Sequence, residues 1–389
     1  MQADEFQELA HTGGKVTFSV VTNEAGVRQY QIGWSHSRPV PSAIFAIWAL
    51  PQGVAVAGIK MGGIGTPWNP PPVPGCFSVF IGSDSHGKFG HQCYACNGYW
   101  RGEAIPTLCP YCAARGESHM FLSQAQRRYV AQYCEQLNAT LDEDQDGEYV
   151  IDMDAVADAT GKDGKKPPFY YTEESQQERF NCLACGAFND IIGKFCYCSS
   201  CGTRNDLHVL ETVTLPILRQ RVNTGGVYEA CVSDTVGAFD TFVAQYVRQL
   251  TRRVPLRPAR KGRLDRMRFH NLHNAASEIK SGFDIDILEN LKPDDVEFAV
   301  LMFHRRHIYE HNGGVADEKY LADSSDNSVR LGQAVRETQS SAHRLIGLVK
   351  KMAESLHRGF HDIFSPEAEP ITRYAEQKKR MAGSVQRSA

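Results

Sequence analysis

The sequence predicts a multidomain α+β protein: a β-rich N-terminal region, two four-cysteine metal-binding units and an all-α C-terminal bundle. Three observations lead there. Short apolar runs broken by Gly and Pro fill the first part of the chain, as strands and turns do. Two Cys-x-x-Cys pairs separated by twelve residues follow at 93–112, and the same arrangement recurs at 182–201. From about Gly225, apolar residues recur at three- and four-residue steps, the period of helices buried on one side. The boundaries implied are 1–88 for the β-rich domain, 89–120 and 179–210 for the metal units, 121–178 for a helical and acidic connector, 225–365 for the helical domain and 366–389 for a polar tail.

A chain of 389 residues accommodates two or three domains. Hydrophobic residues at 42% are enough for ordinary cores, and a net charge of -3 gives no global nucleic-acid signature, so any RNA affinity is local. Met1-Gln-Ala-Asp-Glu-Phe6 lacks the basic and apolar regions of a secretory signal, and no apolar run is long enough to span a bilayer. The expectation is a cytoplasmic protein without a membrane partner. Eight of the twelve cysteines fall in tight pairs, which without a secretory signal argues for metal rather than disulfides.

Among the β-rich elements, Val16-Thr-Phe-Ser-Val-Val and Tyr30-Gln-Ile-Gly-Trp flank Asn23-Glu-Ala-Gly26, a hairpin signal. Ile44-Phe-Ala-Ile-Trp-Ala-Leu and Val54-Ala-Val-Ala-Gly-Ile follow, separated by Pro51-Gln-Gly53. The Gly/Pro-rich stretch 62–75 reads as a rigid surface loop or a loop that touches a ligand.

In the first metal unit the ligands are Cys93, Cys96, Cys109 and Cys112; in the second, Cys182, Cys185, Cys198 and Cys201. A two-residue gap lets one tight knuckle offer two thiolates, and an intervening hairpin returns the second pair to close a tetrahedral site. The pattern resembles a pair of zinc ribbons. It implies two structural Zn2+ ions and no catalytic metal, because four thiolates leave no open position. Cys196 could compete with Cys198, but Cys198 preserves the repeat; Cys76, Cys134 and Cys231 read as core thiols. Trp100, Arg101, Arg115, Arg204 and Asn205 are the candidate exposed contacts of these units.

Between the units, 122–141 has helical spacing and composition. Asp142-Glu-Asp144-Gln-Asp146-Gly147 imitates the start of a calcium loop, but Met153 stands where a bidentate carboxylate is required, so the reading is an acidic turn. The segment 161–168, rich in Gly, Lys and Pro, reads as a linker.

In the helical part, Val232, Val236, Phe239, Val243, Tyr246 and Leu250 mark an amphipathic helix. Eight basic residues follow between Arg252 and Arg268, where Pro255, Pro258 and Gly262 preclude one continuous helix. This is either a solvated connection or a phosphate-gripping patch carrying Arg257, Arg260, Lys261 and Arg263. The next helix starts at Pro293-Asp-Asp295, with Pro at the first position and acids at the positive end of the dipole. Its apolar run 296–303 covers nearly every face and predicts an enclosed helix. It ends in His304-Arg-Arg-His-Ile-Tyr-Glu-His311-Asn-Gly-Gly314, with Gly313 as the left-handed cap. Residues 319–335 read as loop with short extended pieces, and Leu345, Leu348, Met352, Leu356 and Phe360 mark the closing helix. The tail beyond Ser365 reads as frayed.

Arg306-His307-Ile308-Tyr309-Glu310-His311 resembles the Arg, polar residue, three variable residues, His motif of HEPN ribonucleases, which are small all-α domains. The resemblance implies metal-independent endoribonuclease activity on an RNA substrate, with His311 as acid/base, Arg306 stabilising the phosphate and His307 orienting groups. Arg305 and Asn312 would be supporting substrate contacts. It further implies a homodimer or higher homo-oligomer in which two motifs face each other, and a toxin or anti-phage effector held by its N-terminal region or by a trigger or regulatory protein. Five positions on a helix turn about 140°, more than one face, so arginine's length, fraying at Gly313 or a partner subunit must bring Arg306 to His311. His304, His307 and His311 share a face and imitate a metal site, but lack a suitable carboxylate there. The alternative is a non-catalytic nucleic-acid- or protein-binding adaptor that uses the helical domain for dimerisation.

Overall fold

Asn23 sets the first hairpin. Its side-chain oxygen accepts from the amides of Ala25 (3.0 Å) and Val27 (2.9 Å), and Gly26 takes the positive φ that closes the turn. The flanking strands β1 (Lys15–Thr22) and β2 (Arg28–Ser35) pair antiparallel from Lys15↔Ser35 to Thr22↔Arg28. Alternation puts Val16, Phe18 and Val20 into the core.

The computed structural model describes residues 13–37, 42–60, 68–84, 86–103, 105–142, 145–160, 177–269 and 271–387. The N-terminal 1–6, the first part of the Gly/Pro-rich stretch (62–67), Glu143 and Asp144 of the acidic turn, and the linker at 161–168 lie outside them. The chain folds as two units, one running to Thr203 and resuming at Glu367, the other comprising Arg204–Pro366.

In the first unit, β3 (Ile44–Ala49) pairs with β4 (Ala55–Ile59) on one side and β5 (Phe77–Gly82) on the other. A four-stranded sheet runs in the order β6 (Phe89–Gln92), β7 (Tyr99–Gly102), β10 (Phe188–Ile192), β9 (Gln177–Asn181). Helix α1 (Gln124–Leu141) opens on a capping box between Ser123 and Gln126. It buries Tyr129, Val130, Cys134 and Leu137 in one core with Phe18, Ile47, Val79 and Ile81.

The acidic stretch after α1 has a structural use that its composition did not announce. The Asp146 carboxylate receives the Thr22 amide (2.8 Å) and hydroxyl (2.7 Å), and β8 (Gly147–Asp152) then pairs along β1, before helix α2 (Met153–Thr160). What reads as connector therefore completes the first sheet, in the order β2-β1-β8. Part of the Gly/Pro-rich stretch is likewise pinned, because Asn69 bonds the backbone at Lys60 and Gly58 and accepts from Trp48 Nε1.

The second unit is helical. The first helix, α3, runs over Asp206–Val209, widens into one π turn at Leu210–Thr214 and resumes over Leu215–Asn223. Then come α4 (Tyr228–Arg253), α5 (Pro258–Asp265), α6 (Leu272–Phe283), α7 (Pro293–His311), α8 (Glu318–Ser324) and α9 (Gln339–Ile363). The apolar stripes of α4 and α9 pack against each other, with Phe239, Tyr246, Met352 and Phe360 fully buried.

Four elements differ from expectation. The basic segment is broken around Pro255 as expected, but Gly262 does not interrupt it: α5 runs through that position, with Pro258 in its first turn, where a missing N–H costs nothing. The segment 319–335 contains α8, started by Asp317, whose carboxylate accepts from the Tyr320 amide at 2.7 Å. The tail is not frayed: α10 (Ala368–Arg387) is helical, and Tyr374 packs on Gly186 of the first unit. Finally, α7 is not enclosed. Only Ala299, Met302, Phe303 and Ile308 are buried, since its neighbours cover one side and Phe298 lies under the Arg344 guanidinium (4.2 Å).

Candidate functional site

In the first unit each Cys-x-x-Cys knuckle turns tightly enough that an amide meets the first sulfur: Ala95 N reaches Cys93 Sγ at 3.3 Å, and Tyr111 N reaches Cys109 Sγ at 3.4 Å. Cys93, Cys96, Cys109 and Cys112 form one cluster and Cys182, Cys185, Cys198 and Cys201 another, each with all four sulfurs within 4.8 Å of one another. The closest pairs are 3.6–3.7 Å apart. A zinc ion with bonds of about 2.3 Å to tetrahedral sulfurs needs S···S edges of about 3.8 Å, so the donor set fits Zn2+ without rearrangement. Cys196 sits in an apolar cluster with Trp100, Phe121 and Ile191, outside either set of ligands.

The two metal units are interlocked. Strands β7 and β10 pair at Asn189↔Gly102 and Asp190↔Arg101, joining them in one sheet. Their second knuckles also exchange hydrogen bonds: Thr107 N to Ser199 O (2.9 Å), Thr107 Oγ1 to Ser200 O (2.7 Å) and Tyr197 N to Pro110 O (2.9 Å). Asn189, fully buried, accepts from the Ser199 amide and places Nδ2 3.6 Å from Cys198 Sγ. Four of the five expected surface contacts are buried: Trp100, Arg101, Arg204 and Asn205. Arg101 pairs with Asp84 and faces Asp190, while Arg204 forks onto both oxygens of Asp206 at 2.8 Å. Arg115 is exposed and pairs with Glu367. These residues brace the fold, and no basic-aromatic stripe results.

The end of α7 is organised by Arg305. Its guanidinium bonds Asp326 Oδ2 (2.9 and 3.2 Å), Glu337 Oε1 (3.1 Å) and Ser328 Oγ (3.2 Å). Tyr309 OH donates to the same Glu337 oxygen at 2.6 Å, and Tyr320 OH to Asp326 at 2.5 Å. Burial alone would raise the Asp326 carboxyl, but the bonds from Ser328, Tyr320 and Arg305 outweigh it and hold it well below the usual carboxylate range. Burial, reinforced by the bond to Asp326, pushes Tyr320 up to about 12. The sequence alone hid Asp326 and Glu337, which lie in a segment without periodicity.

Arg305 is thus committed to the fold, and so is Asn312, whose amide nitrogen bonds Val315 O (2.8 Å) and Asp317 (3.3 Å). Gly313 and Gly314 follow at positive φ, and the Gly314 amide returns to Ile308 O. On the outer side, His307 and His311 are exposed with ring centres 4.8 Å apart. Burial, then the charges of His311, Lys319 and Arg306, lowers the His307 pKa. Arg306 lies on the neighbouring face beside Glu310, its Nε 4.0 Å from the carboxylate and without a hydrogen bond. Within one chain, then, Arg306 and His311 occupy different faces, as their spacing demands. In the basic segment, Arg260 bonds Ser281 (2.9 Å) and Arg263 faces Glu278 (4.0 Å), whereas Arg257 and Lys261 are exposed.

No family model matches the chain, and neither a curated protein nor a solved structure is similar to it. Among the described residues, no helix is long and apolar enough to cross a membrane.

Proposed function

We propose that the helical unit is a HEPN-type endoribonuclease and that the two four-cysteine units, each holding a structural Zn2+, form its regulatory scaffold. The observation that carries this reading is the pair His307 and His311, two exposed imidazoles at the end of a helix immobilised by Arg305. Imidazole titrates near neutrality and is suited to removing the ribose 2′ proton or protonating the leaving oxygen. Arg306, with a buried Nε lacking a hydrogen bond, has donors available for the phosphorane that forms in between. Because Arg306 and His311 lie on different faces, the proposed active form is a dimer, in which one copy's His311 and the other's Arg306 meet the same phosphate. Arg305 then acts as a positioning residue. A toxin or anti-phage effector, released by a trigger or regulatory protein acting on the first unit, is the biological role this chemistry suits.

A second reading has its own support: Arg305 and Asn312 are both occupied within the fold, as they would be in a helical adaptor that only dimerises. The deciding experiment incubates wild type, Arg306→Ala and His311→Ala with cellular RNA in EDTA, after verifying that both four-cysteine units retain metal. Cleavage by wild type alone, leaving cyclic phosphate ends, supports the nuclease. Equal cleavage by all three rejects the site assignment, and an inactive wild type that is also harmless on expression favours the adaptor.

A further inference from the structure

Between α6, α7 and α8 lies a cleft of about 190 Å³, beside the His307–His311 pair. Its floor is apolar, from Leu272, Val300 and Phe303, and its rim carries His304, His307, Lys319 and Asp323. Among the described residues, none of these four rim side chains has a hydrogen-bond or ion-pair partner, in contrast to Arg305 one position away. Unoccupied polar groups converging over an apolar floor are what a small-molecule site requires.

The chemistry of the rim narrows the ligand. No metal-ligand set forms there among the described residues, where the sulfur clusters are the only candidates. A bare anion is disfavoured by Asp323. The larger cleft on the other side of α7, about 520 Å³, is lined by Glu229, Asp234 and Glu310 against one cation, Arg336, which itself faces Glu229 at 3.8 Å, so it is the less suited of the two to phosphate. The smaller cleft has room for one flat heterocycle, with its sugar and phosphate left outside on the Lys319 side. His304 is held toward its neutral form by burial, against the opposing charge of Asp323, and a neutral imidazole offers a flat face for stacking.

We propose that this cleft is a nucleobase pocket selective for guanine, with Asp323 accepting from the base edge and Lys319 holding the adjoining phosphate. Guanine is the base that presents two adjacent N–H donors, matching the two oxygens of one carboxylate. Adenine and cytosine offer an amino group beside a ring acceptor, which would face the second carboxylate oxygen unfavourably. Uracil offers one N–H between two carbonyls. The inference rests on the ribonuclease reading and narrows its substrate to RNA with guanine beside the cut.

Full-length protein is titrated with the four nucleoside 5′-monophosphates and with inorganic phosphate, by calorimetry and by the imidazole proton resonances. Guanosine monophosphate should bind about tenfold or more tighter than the other three and shift His304 and His307. Asp323→Asn should abolish the preference, whereas Lys319→Ala should weaken all four nucleotides alike. Both positions are exposed, and unchanged melting temperatures would verify folding. Equal binding of all bases, phosphate binding as tight as nucleotide, or no effect of Asp323→Asn would overturn the pocket. Its failure is separable from that of the nuclease: selective binding without RNA cleavage keeps the pocket and removes the catalysis, and cleavage without selective binding does the reverse.

Discussion

Thr107 and Ser199 join the two metal units: the Thr107 amide donates to the Ser199 carbonyl at 2.9 Å, and each residue lies within two positions of a cysteine ligand. A knuckle without its metal loses the geometry that presents these groups. Filling one site therefore preorganises the other. Cys198→Ser should release close to two equivalents of zinc rather than one, measured by metal analysis after mild chelation. Retention of one full equivalent at the first site would mean that the sites are independent.

Arg305 neutralises two carboxylates that are almost fully buried, Asp326 and Glu337. Arg305→Met leaves both uncompensated and should destabilise the helical unit by about 3 kcal/mol or more in chemical denaturation. The Asp326 carboxyl is depressed in the folded state, so its contribution is complete above the ordinary carboxylate value near pH ~4 and shrinks as pH falls below it. Asp326→Asn should flatten the acid limb of the stability curve in that window. A stable Arg305→Met variant would show the network to be dispensable.

The helical unit also contains an imidazole pair, His357 and His361, with ring centres 4.6 Å apart. Burial first, then the neighbouring His361 and Arg204, lowers His357 to about 3; burial, against a bond to Phe364 O, lowers His361 to about 4. Their folded pKa values lie below the unfolded value near ~6.5, so the unfolded chain binds protons first. Stability is then complete above pH ~6.5 and falls below it, by on the order of 2 kcal/mol per imidazole at pH 5. Thermal melts from pH 7.5 to 5 should show this loss, halved in His357→Gln. A flat profile in wild type would contradict neutral burial of the pair.

How much of this was legible beforehand depended on the range of the signal. The cysteine pairs carry their partner in their own spacing, and Val232 to Leu250 carry the α4 stripe, so local periodicity was enough for both. The fusion of the two metal units was hidden, because pairing of Asn189 with Gly102 joins strands that are remote in the chain and too short to declare a register. Asp146 resembled a metal ligand because a carboxylate that caps a strand and one that binds calcium look alike in sequence. At α7 the apolar run concealed how few neighbours the helix has. The roles of Arg305 and Arg306 could not be separated either, since the carboxylates that distinguish them lie 21 and 32 positions downstream of Arg305.

Glu367 returns the chain to the second metal unit: its amide donates to the Cys201 carbonyl at 2.8 Å, and its carboxylate meets Arg115 beyond the last ligand of the first metal unit. Helix α10 follows, with Ile371 packed on the second cysteine cluster and Tyr374 over Gly186. A Cβ at Gly186 would sit 2.4 Å from the Tyr374 ring, and Gly186 holds a φ of +75° that side chains resist. Gly186→Ala should therefore strain the knuckle and expel α10 together, whereas Tyr374→Ala should free the helix and leave the metal bound. Trypsin cutting at Arg373 and Lys378, read beside zinc content, separates the two. Cleavage that is slow in both variants would mean that α10 is held by other contacts, and zinc loss from Tyr374→Ala would mean that the helix is part of the metal site's own support.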